Sequence, residues 1–106
     1  MSRLLDLIQE DDLSAYGIQY RIHATQAMFR RAIEPADVER VLLLGQIIED
    51  YEDSLPIRHV LLNGKSDRGR PLHVALLVGL VERILTVITV YEPSAATWDQ
   101  NFTRRR

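Results

Sequence analysis

Residues 71–91 read PLHVALLVGLVERILTVITVY, and this stretch decides the fold class. It contains two runs rich in β-branched and other apolar residues, Pro71–Val78 and Arg83–Tyr91, which a short connection near Gly79 joins. Runs of this length and composition on either side of a glycine-containing connection are typical of two neighbouring antiparallel strands. The stretch therefore predicts a β-hairpin.

Two further strand candidates precede this hairpin. Ile57–Asn63 is an apolar run that leads through the polar loop Gly64–Arg70 into Pro71. Gln46–Tyr51 is a shorter run, and an acidic turn at residues 52–56 separates it from the next one. We therefore predict a four-stranded, mainly antiparallel sheet in the second half of the chain.

Helical periodicity is confined to the first half of the chain. Residues 3–13 have loosely helical apolar spacing, and residues 22–32 place small and apolar side chains on one face. Pro35 suits a first helical position, and the apolar residues after it repeat at helical spacing. We expect Gly45 to end this helix in the left-handed conformation. Helices followed by strands predict an α+β domain with N-terminal helices packed on one face of the sheet.

Length and composition describe one ordinary domain. A chain of 106 residues with 46% hydrophobic and 26% charged residues is typical of a single globular domain, which we place at residues 1–106. The lack of cysteine excludes disulfides and thiolate chemistry and is typical of a reducing compartment. No apolar run approaches the roughly 20 residues that span a bilayer, and no signal peptide is evident. We expect a cytoplasmic protein with no membrane partner.

Charge is distributed unevenly along the chain. Residues 1–53 carry five arginines against eleven acidic residues, whereas residues 54–106 carry eight basic against four acidic residues. The basic half ends in Arg104-Arg105-Arg106. Such a half can face nucleic-acid phosphates while the acidic half stays away from them, although the same charges are also typical of a solvated surface.

Several short motifs occur in a fixed order over residues 16–106. They are His23-Ala24 with Met28, Arg31 and Ile33; Gly45; Ile48-Glu49-x-Tyr51; the Asp53/Pro56 turn; Arg70-Pro71-Leu72-His73-Val74; Thr89-Val90-Tyr91-Glu92-Pro93; Trp98; and Phe102-x-x-Arg105-Arg106. In these motifs the chain resembles a widespread bacterial family of small proteins of unknown function.

The resemblance implies a fold like that of the RelE/ParE and barnase-type ribonucleases, and a role as the toxin of a toxin–antitoxin pair. The implied partner is a small antitoxin that carries a zinc finger. The sequence departs from the family pattern at two places. Ala27 stands where an arginine usually precedes the methionine, which removes one expected phosphate contact, and Gly79-Leu80-Val81 replaces a charged or polar hairpin tip.

Two arginines are candidate phosphate ligands. Arg31 lies between Ala24 and Met28 on the apolar side of the predicted helix, where an unpaired charge is costly. We expect its guanidinium either to reach an RNA phosphate or to form an ion pair, with Asp53 as a candidate partner. Arg70, which directly precedes the predicted hairpin, is the second candidate.

A histidine-containing patch is expected on one face of the sheet. A hairpin that turns about residue 81 would place His73 opposite Thr89 and diagonal to Tyr91. A preceding loop centred near residue 67 would bring His59 to the same face. We therefore expect these four side chains to lie close together.

This patch would hold the groups that metal-independent RNA cleavage requires. The reaction needs a base for the 2′-hydroxyl, an acid for the 5′-oxygen and cations for the phosphate. The expected catalytic residues are His73, His23 and Tyr91, and the expected substrate-binding residues are Arg31, Arg70 and His59. Each histidine has an alternative interpretation as a hydrogen-bonded structural residue. The resulting hypothesis is a toxin that acts as a metal-independent endoribonuclease on messenger RNA.

No metal ion or cofactor is expected. The three histidines lie 36 and 14 residues apart, without the spacing of a zinc site, and no thiolate is present. The acidic run Glu49–Asp53 can attract a divalent cation, but it is more typical of a solvated turn. Gly64–Gly69 lacks the lysine spacing of a P-loop.

The tip of the predicted hairpin is apolar. An exposed apolar tip predicts a partner surface or a homodimer contact, whereas a buried tip would belong to the core. The expected partner-binding residues are Leu80, Val81 and Trp98, although a tryptophan near the C-terminus can instead clamp the tail to the core. The alternative function is a non-catalytic binding module of toxin-like fold that docks on a protein partner or target.

Overall fold

The computed structural model describes residues 2–51 and 56–106. Within them the chain forms three helices and five strands, in the order α1 (Leu4–Ile8), β1 (Gly17–Tyr20), α2 (Ile22–Arg30), α3 (Pro35–Leu44), β2 (Gln46–Tyr51), β3 (Ile57–Lys65), β4 (Pro71–Gly79) and β5 (Ile84–Tyr91). The α+β class is confirmed, with helices ahead of the hairpin strands.

The strands form one mixed sheet in the order β1-β5-β4-β3-β2. Strands β2, β3, β4 and β5 pair with one another in antiparallel fashion, as predicted. β1 lies at the edge of the sheet and runs parallel to β5. The prediction of four strands is therefore wrong by one. β1 has only four residues, and it pairs Gly17 with Ile84 from the other end of the chain. A long-range pairing of this kind leaves no local pattern in the sequence.

The helices cover one face of this sheet. α2 lies against β5, and α3 lies against β3 and β4. Alternate residues of each strand point to the helices, and in β4 these residues, Val74, Leu76 and Val78, are fully buried. Burial of side chains of this size contributes about 1.5–3 kcal/mol each, so this interface forms the main core.

The C-terminal segment after β5 covers part of the opposite face. Trp98 is 2% exposed and packs with Leu61 and Ala75, and Phe102 adds to this second cluster. An isolated bridge pairs Trp98 with Arg105, so the segment doubles back on itself over the sheet. A cleft that contains ionisable side chains is formed between this segment and the strands.

Two helices end earlier than the sequence predicts. α1 stops at Ile8 because Gln9 adopts the left-handed conformation, with φ 57° and ψ 47°. α2 stops at Arg30, and Ala32 with φ 53° turns the chain towards α3. Of the helices formed by residues 2–51 and 56–106, none is long and apolar enough to span a membrane.

Gly45 is required for a different reason from the predicted one. Its φ of −71° and ψ of 169° are extended rather than left-handed, so the prediction of a left-handed cap is wrong. A Cβ atom at this position would lie 2.5 Å from the carbonyl oxygen of Val41 and 2.9 Å from that of Asn63. Glycine therefore allows α3 and β3 to approach each other closely.

Candidate functional site

A β-bulge in β2 turns the side chain of Glu49 away from the main core. β2 pairs Ile47 with Leu62 and Glu49 with Leu61, so that Ile48 is the extra residue. Ile47 is buried in the main core, and in a regular strand Glu49 would point the same way. The bulge instead places this carboxylate on the face that the C-terminal segment covers.

The register of the sheet gathers aromatic and ionisable side chains around Glu49. Tyr51 pairs with His59 across β2 and β3, and His73 pairs with Tyr91 across β4 and β5. A cleft of about 210 Å³ opens on this face. Its lining residues are Glu49, Tyr51, His59, Leu61, Ala75, Tyr91 and Arg105. This feature is called the Glu49 cleft below.

Glu49 is bound from two sides. The hydroxyl of Tyr51 donates a hydrogen bond to Oε1 at 2.6 Å. From the C-terminal segment, Arg105 donates through Nε to Oε2 at 3.0 Å and through Nη2 to Oε1 at 3.4 Å. The guanidinium carbon of Arg105 also lies 4.7 Å from the centroid of the Trp98 ring. A two-point pair stacked on an aromatic ring has a defined geometry, which a lysine would not reproduce.

These contacts set the charge states in the cleft. Burial pushes the pKa of Glu49 upward, but hydrogen bonds from Arg105 and Tyr51 outweigh burial and hold this pKa below its usual value. The hydrogen bond to Glu49 raises the pKa of the Tyr51 hydroxyl. Burial raises the pKa of Tyr91. At neutral pH the cleft therefore contains an ionised carboxylate beside two protonated phenols.

His59 lies on the strand next to Glu49. Its half-buried ring is 5.3 Å from the Tyr51 ring, centroid to centroid, at a tilt of 48°. Because Glu49 pairs with Leu61, two residues from His59, the carboxylate and the imidazole are diagonal cross-strand neighbours. Such neighbours lie about 7–8 Å apart at the backbone, and Tyr51 contacts both of them, through its ring to His59 and through its hydroxyl to Glu49.

His73 is fully buried beneath the C-terminal segment. Its Nε2 lies 2.7 Å from the carbonyl oxygen of Phe102, and its Nδ1 lies 3.1 Å from the hydroxyl of Tyr91. A carbonyl only accepts hydrogen bonds, so Nε2 carries the proton and Nδ1 accepts from Tyr91. Burial lowers the pKa of this histidine and favours the neutral ring. Both ring nitrogens are therefore occupied within the fold.

The expected patch forms only in part and in a different register, because His59 pairs with Leu77, four residues along β4 from His73. His59, His73 and Tyr91 share the predicted face, and His73 stands directly opposite Tyr91 rather than opposite Thr89. One residue of this two-residue shift arises because the hairpin pairs Gly79 with Ile84 and so turns between residues 81 and 82, and the other arises because a bulge at Ile88 adds a residue to β5. Register is set by such irregularities, which the sequence pattern did not indicate.

Arg31 and Arg70 do not line the Glu49 cleft. Arg31 is the exposed residue after α2, and its Nη1 donates to the carbonyl of Val90 at 3.2 Å. Arg70 binds Oε2 of Glu92 at 2.9 Å and the carbonyl of Ala32 at 3.3 Å. Both guanidiniums therefore tie the connection after α2 to the end of β5. The proposed partner of Arg31, Asp53, lies outside the described residues.

His23 is also separate from the cleft. It is an exposed residue of α2, in the helix layer on the other side of the sheet. Among the described residues, no group of three or more His, Asp or Glu side chains is placed to hold a metal ion. The expected acidic run includes Glu52 and Asp53, which lie outside the described residues.

The three expected partner-binding residues differ in exposure. Leu80 is half-buried and packs on the main core, whereas Val81 is 78% exposed at the hairpin tip. Trp98 is buried, and its ring packs edge-on against His73 with centroids 4.4 Å apart. In this conformation Trp98 clamps the C-terminal segment, the alternative considered for it, and offers almost no surface to a partner.

Glu49, Tyr51 and Arg105 are the ionisable cleft residues that were not among the candidate catalytic or substrate-binding residues. Glu49 and Tyr51 belong to a quoted motif, and their alternate positions in a strand were a usable signal that they share a face. The contact of Arg105 with Glu49 spans 56 residues of chain and depends on how the C-terminal segment folds.

Comparison with known proteins gives a family match over most of the chain. The model of a domain of unknown function, DUF4258, matches residues 20–92, from the end of β1 to the residue after β5. The C-terminal segment with Trp98 and Arg105 lies beyond the matched range. No curated protein and no solved structure matches the chain.

Proposed function

The chain belongs to the family of the domain of unknown function DUF4258, and for this member we propose a metal-independent endoribonuclease whose reacting groups lie in the Glu49 cleft. The observation that carries the proposal is the placement of an ionised carboxylate, an imidazole and a guanidinium in one cleft of about 210 Å³. A base, an acid and a cation are the groups that cleavage of RNA by its own 2′-hydroxyl requires.

Glu49 is the proposed general base. Its low pKa keeps it as a carboxylate at neutral pH, the form that accepts the proton of a ribose 2′-hydroxyl. The freed 2′-oxygen then attacks the adjacent phosphorus, and the bond from phosphorus to the 5′-oxygen breaks. The products are a 2′,3′-cyclic phosphate and a 5′-hydroxyl end.

His59 is the proposed general acid. In its protonated form it gives a proton to the leaving 5′-oxygen, and a histidine is the side chain best suited to exchange a proton near neutral pH. Its diagonal cross-strand position relative to Glu49 supports this pairing, because the two side chains share one face of the sheet. After each turnover Glu49 releases its extra proton to solvent, and His59 takes up a proton from solvent.

Arg105 is the proposed ligand of the phosphate. The guanidinium of Arg105 lines the cleft beside Glu49 and can stabilise charge that develops on the phosphate oxygens. The hydroxyl of Tyr91 donates its one proton to Nδ1 of His73 and therefore has none left for a phosphate oxygen. Both ring nitrogens of His73 are occupied within the fold, so His73 is a structural residue in this proposal, and proton transfer is assigned to Glu49 and His59 instead.

The resemblance described above supports a cellular role for this activity. It implies the toxin of a toxin–antitoxin pair with a RelE/ParE or barnase-type fold, messenger RNA as substrate and a zinc-finger antitoxin as partner. The exposed Arg104 and Arg106, which flank Arg105 in the chain, add positive charge to the same segment and so favour an RNA backbone there.

The test is to map new RNA ends after brief induction in bacteria, and to repeat the cleavage with purified protein in excess EDTA. We expect 5′-hydroxyl ends in both settings. Glu49→Gln and His59→Ala should each reduce the cleavage rate by roughly 100-fold or more. His23→Ala is the matched control, because it removes an exposed imidazole from the opposite layer, and it should cleave normally.

Three results would contradict the proposal. Wild-type protein that produces no new ends excludes the activity. Normal cleavage by Glu49→Gln, with folding verified by circular dichroism, excludes this site. Activity that disappears in EDTA excludes the metal-independent mechanism.

A second candidate function is supported by the hairpin tip. Val81 is 78% exposed and apolar, as expected for a binding module that docks on a protein target. This function predicts that growth arrest persists in Glu49→Gln and is lost in Val81→Asp. The endoribonuclease predicts the reverse.

A further inference from the structure

α2 carries apolar side chains on two opposite sides. Ala24, Ala27 and Met28 face inward and are buried against the sheet. Ile22 and Phe29 are 73% and 89% exposed. They are seven residues apart, which corresponds to almost two full turns, so they lie on one stripe opposite the buried side. A phenylalanine this exposed, aligned with an exposed isoleucine, marks an interaction surface.

The surroundings of this stripe are basic. Residues 21–31 contain Arg21, Arg30 and Arg31 and no acidic residue. The guanidinium of Arg31 donates a hydrogen bond to the carbonyl of Val90. Arg21 and Arg30 are exposed at the two ends of α2, and neither forms an ion pair with any residue of 2–51 or 56–106. Two positive charges therefore flank an apolar stripe.

A groove lies beside Phe29. It has a volume of about 420 Å³, and its lining residues are Thr25, Met28, Phe29, Ala32, Ile33, Glu34 and Pro35. Most of this lining is apolar. A side chain of a docked partner could enter the groove while its neighbours contact Ile22.

We propose that the exposed side of α2 is a docking surface for an acidic amphipathic helix of another protein. The apolar stripe of that helix lies on Ile22 and Phe29, and its carboxylates lie opposite Arg21 and Arg30. This is the helix-on-apolar-face mode of recognition, in which side chains at helical spacing give affinity and flanking charges give specificity. The surface lies on the opposite side of the sheet from the Glu49 cleft, so the proposal does not depend on the proposed function.

The same observations disfavour two other occupants. A second copy of this chain would bring its own α2 arginines against Arg21 and Arg30, and like charges repel. An RNA strand would meet the aliphatic Ile22, which gives no stacking, and the carboxylate of Glu34 at the groove. A partner helix with acidic and apolar side chains would both pair with the arginines and cover the exposed apolar stripe.

The experiment uses the full chain and two synthetic helical peptides of about 15–20 residues, long enough to form a helix on binding. Both peptides carry the same leucine stripe at helical spacing. One has glutamates beside the stripe and the other has lysines. Affinities are measured by fluorescence anisotropy, and the surface is mapped by NMR shift perturbation. We expect the glutamate peptide alone to bind, with shifts confined to α2 and the groove.

The variants separate this surface from the hairpin tip. Phe29→Asp should weaken binding of the glutamate peptide by roughly tenfold or more, and Arg30→Glu should weaken it and favour the lysine peptide. Both residues are exposed, so the fold is retained. Val81→Asp, which introduces the same charge at the exposed tip, is the matched control and should bind as the wild type does.

The proposal is overturned by any of four results. The first is that neither peptide binds, and the second is that both bind equally well. The third is that Val81→Asp weakens peptide binding as much as Phe29→Asp does. The fourth is that the wild-type chain self-associates or binds single-stranded RNA through Phe29. If Phe29→Asp cleaves RNA at the normal rate, the substitution has not affected the Glu49 cleft, whether or not the peptide still binds. The two proposals therefore fail separately.

Discussion

Arg105 holds Glu49 by two hydrogen bonds across 56 residues of chain, with Nε to Oε2 at 3.0 Å and Nη2 to Oε1 at 3.4 Å. The same guanidinium lies over the ring of Trp98. The contact joins the edge strand β2 to the C-terminal segment. It therefore shapes the cleft and also helps to keep the Glu49 carboxylate ionised.

Arg105→Lys should lower RNA cleavage by roughly tenfold or more while the fold persists. Lysine keeps the charge but cannot make two parallel hydrogen bonds or stack as a planar group on Trp98. Cleavage rates of purified protein check this. Arg104→Lys is the matched control, since Arg104 is an exposed neighbour. Equal rates for Arg105→Lys and the wild type would mean that charge alone suffices.

His73→Ala should destabilise the protein by about 2–4 kcal/mol. The substitution leaves a cavity beneath Trp98 and removes the partners of the Phe102 carbonyl and the Tyr91 hydroxyl. The free energy of unfolding is measured by urea titration. His23→Ala, at an exposed position, should stay within about 0.5 kcal/mol of the wild type. If the two variants are equally stable, His73 does not support the fold in this way.

The burial of His73 should make stability depend on pH below neutrality. Its folded pKa lies below the ordinary value of 6.5, so the unfolded chain binds more protons as the pH falls through 6.5. Unfolding free energy should therefore decrease in this window, and less so in His73→Gln than in the wild type. Urea titrations from about pH 7.5 to about pH 5 test this.

Glu49 should contribute in a separate, more acidic window. Its folded pKa is lowered from 4.5, so its stabilising effect is present above that value and is lost as the pH falls below it. Glu49→Gln should therefore flatten the pH dependence of stability only below about pH 4.5. A flattening between pH 5 and pH 7 would contradict this assignment.

Gly45→Ala should destabilise the protein by about 1–3 kcal/mol, because its Cβ would overlap two backbone carbonyl oxygens that cannot move away easily. Gly17→Ala is the matched control, since no atom lies within 4 Å of a Cβ built there. Thermal unfolding of both variants compares them directly. Equal melting temperatures would show that α3 and β3 can separate at no cost.

Much of the architecture could be predicted from local patterns. α3 follows from Pro35 and the helical spacing behind it, and β4 and β5 follow from the two apolar, β-branched runs of residues 71–91. These patterns are reliable because each element needs one continuous buried side, which its own sequence must supply. The early end of α1 at Gln9 and the edge strand β1 have no such signal.

The candidate site was predictable only in part. Alternation along strands placed His59, His73 and Tyr91 on one face, but it did not distinguish the buried histidine from the one that lines the cleft. That difference depends on the C-terminal segment, whose Phe102 carbonyl and Trp98 ring enclose His73. The position of Glu49 depends on the bulge at Ile48, which no periodicity indicates.

The sequence by itself determined the class of the fold, the helix α3, the hairpin of β4 and β5, and the shared face of His59, His73 and Tyr91, because these depend on spacing along a few neighbouring residues. Only the tertiary structure decided that β1 joins β5, that Arg105 meets Glu49, and that His73 is enclosed while Phe29 is exposed. These features depend on contacts between distant segments, and the free energy of such contacts comes from burial and hydrogen bonding that exist only once the chain has folded.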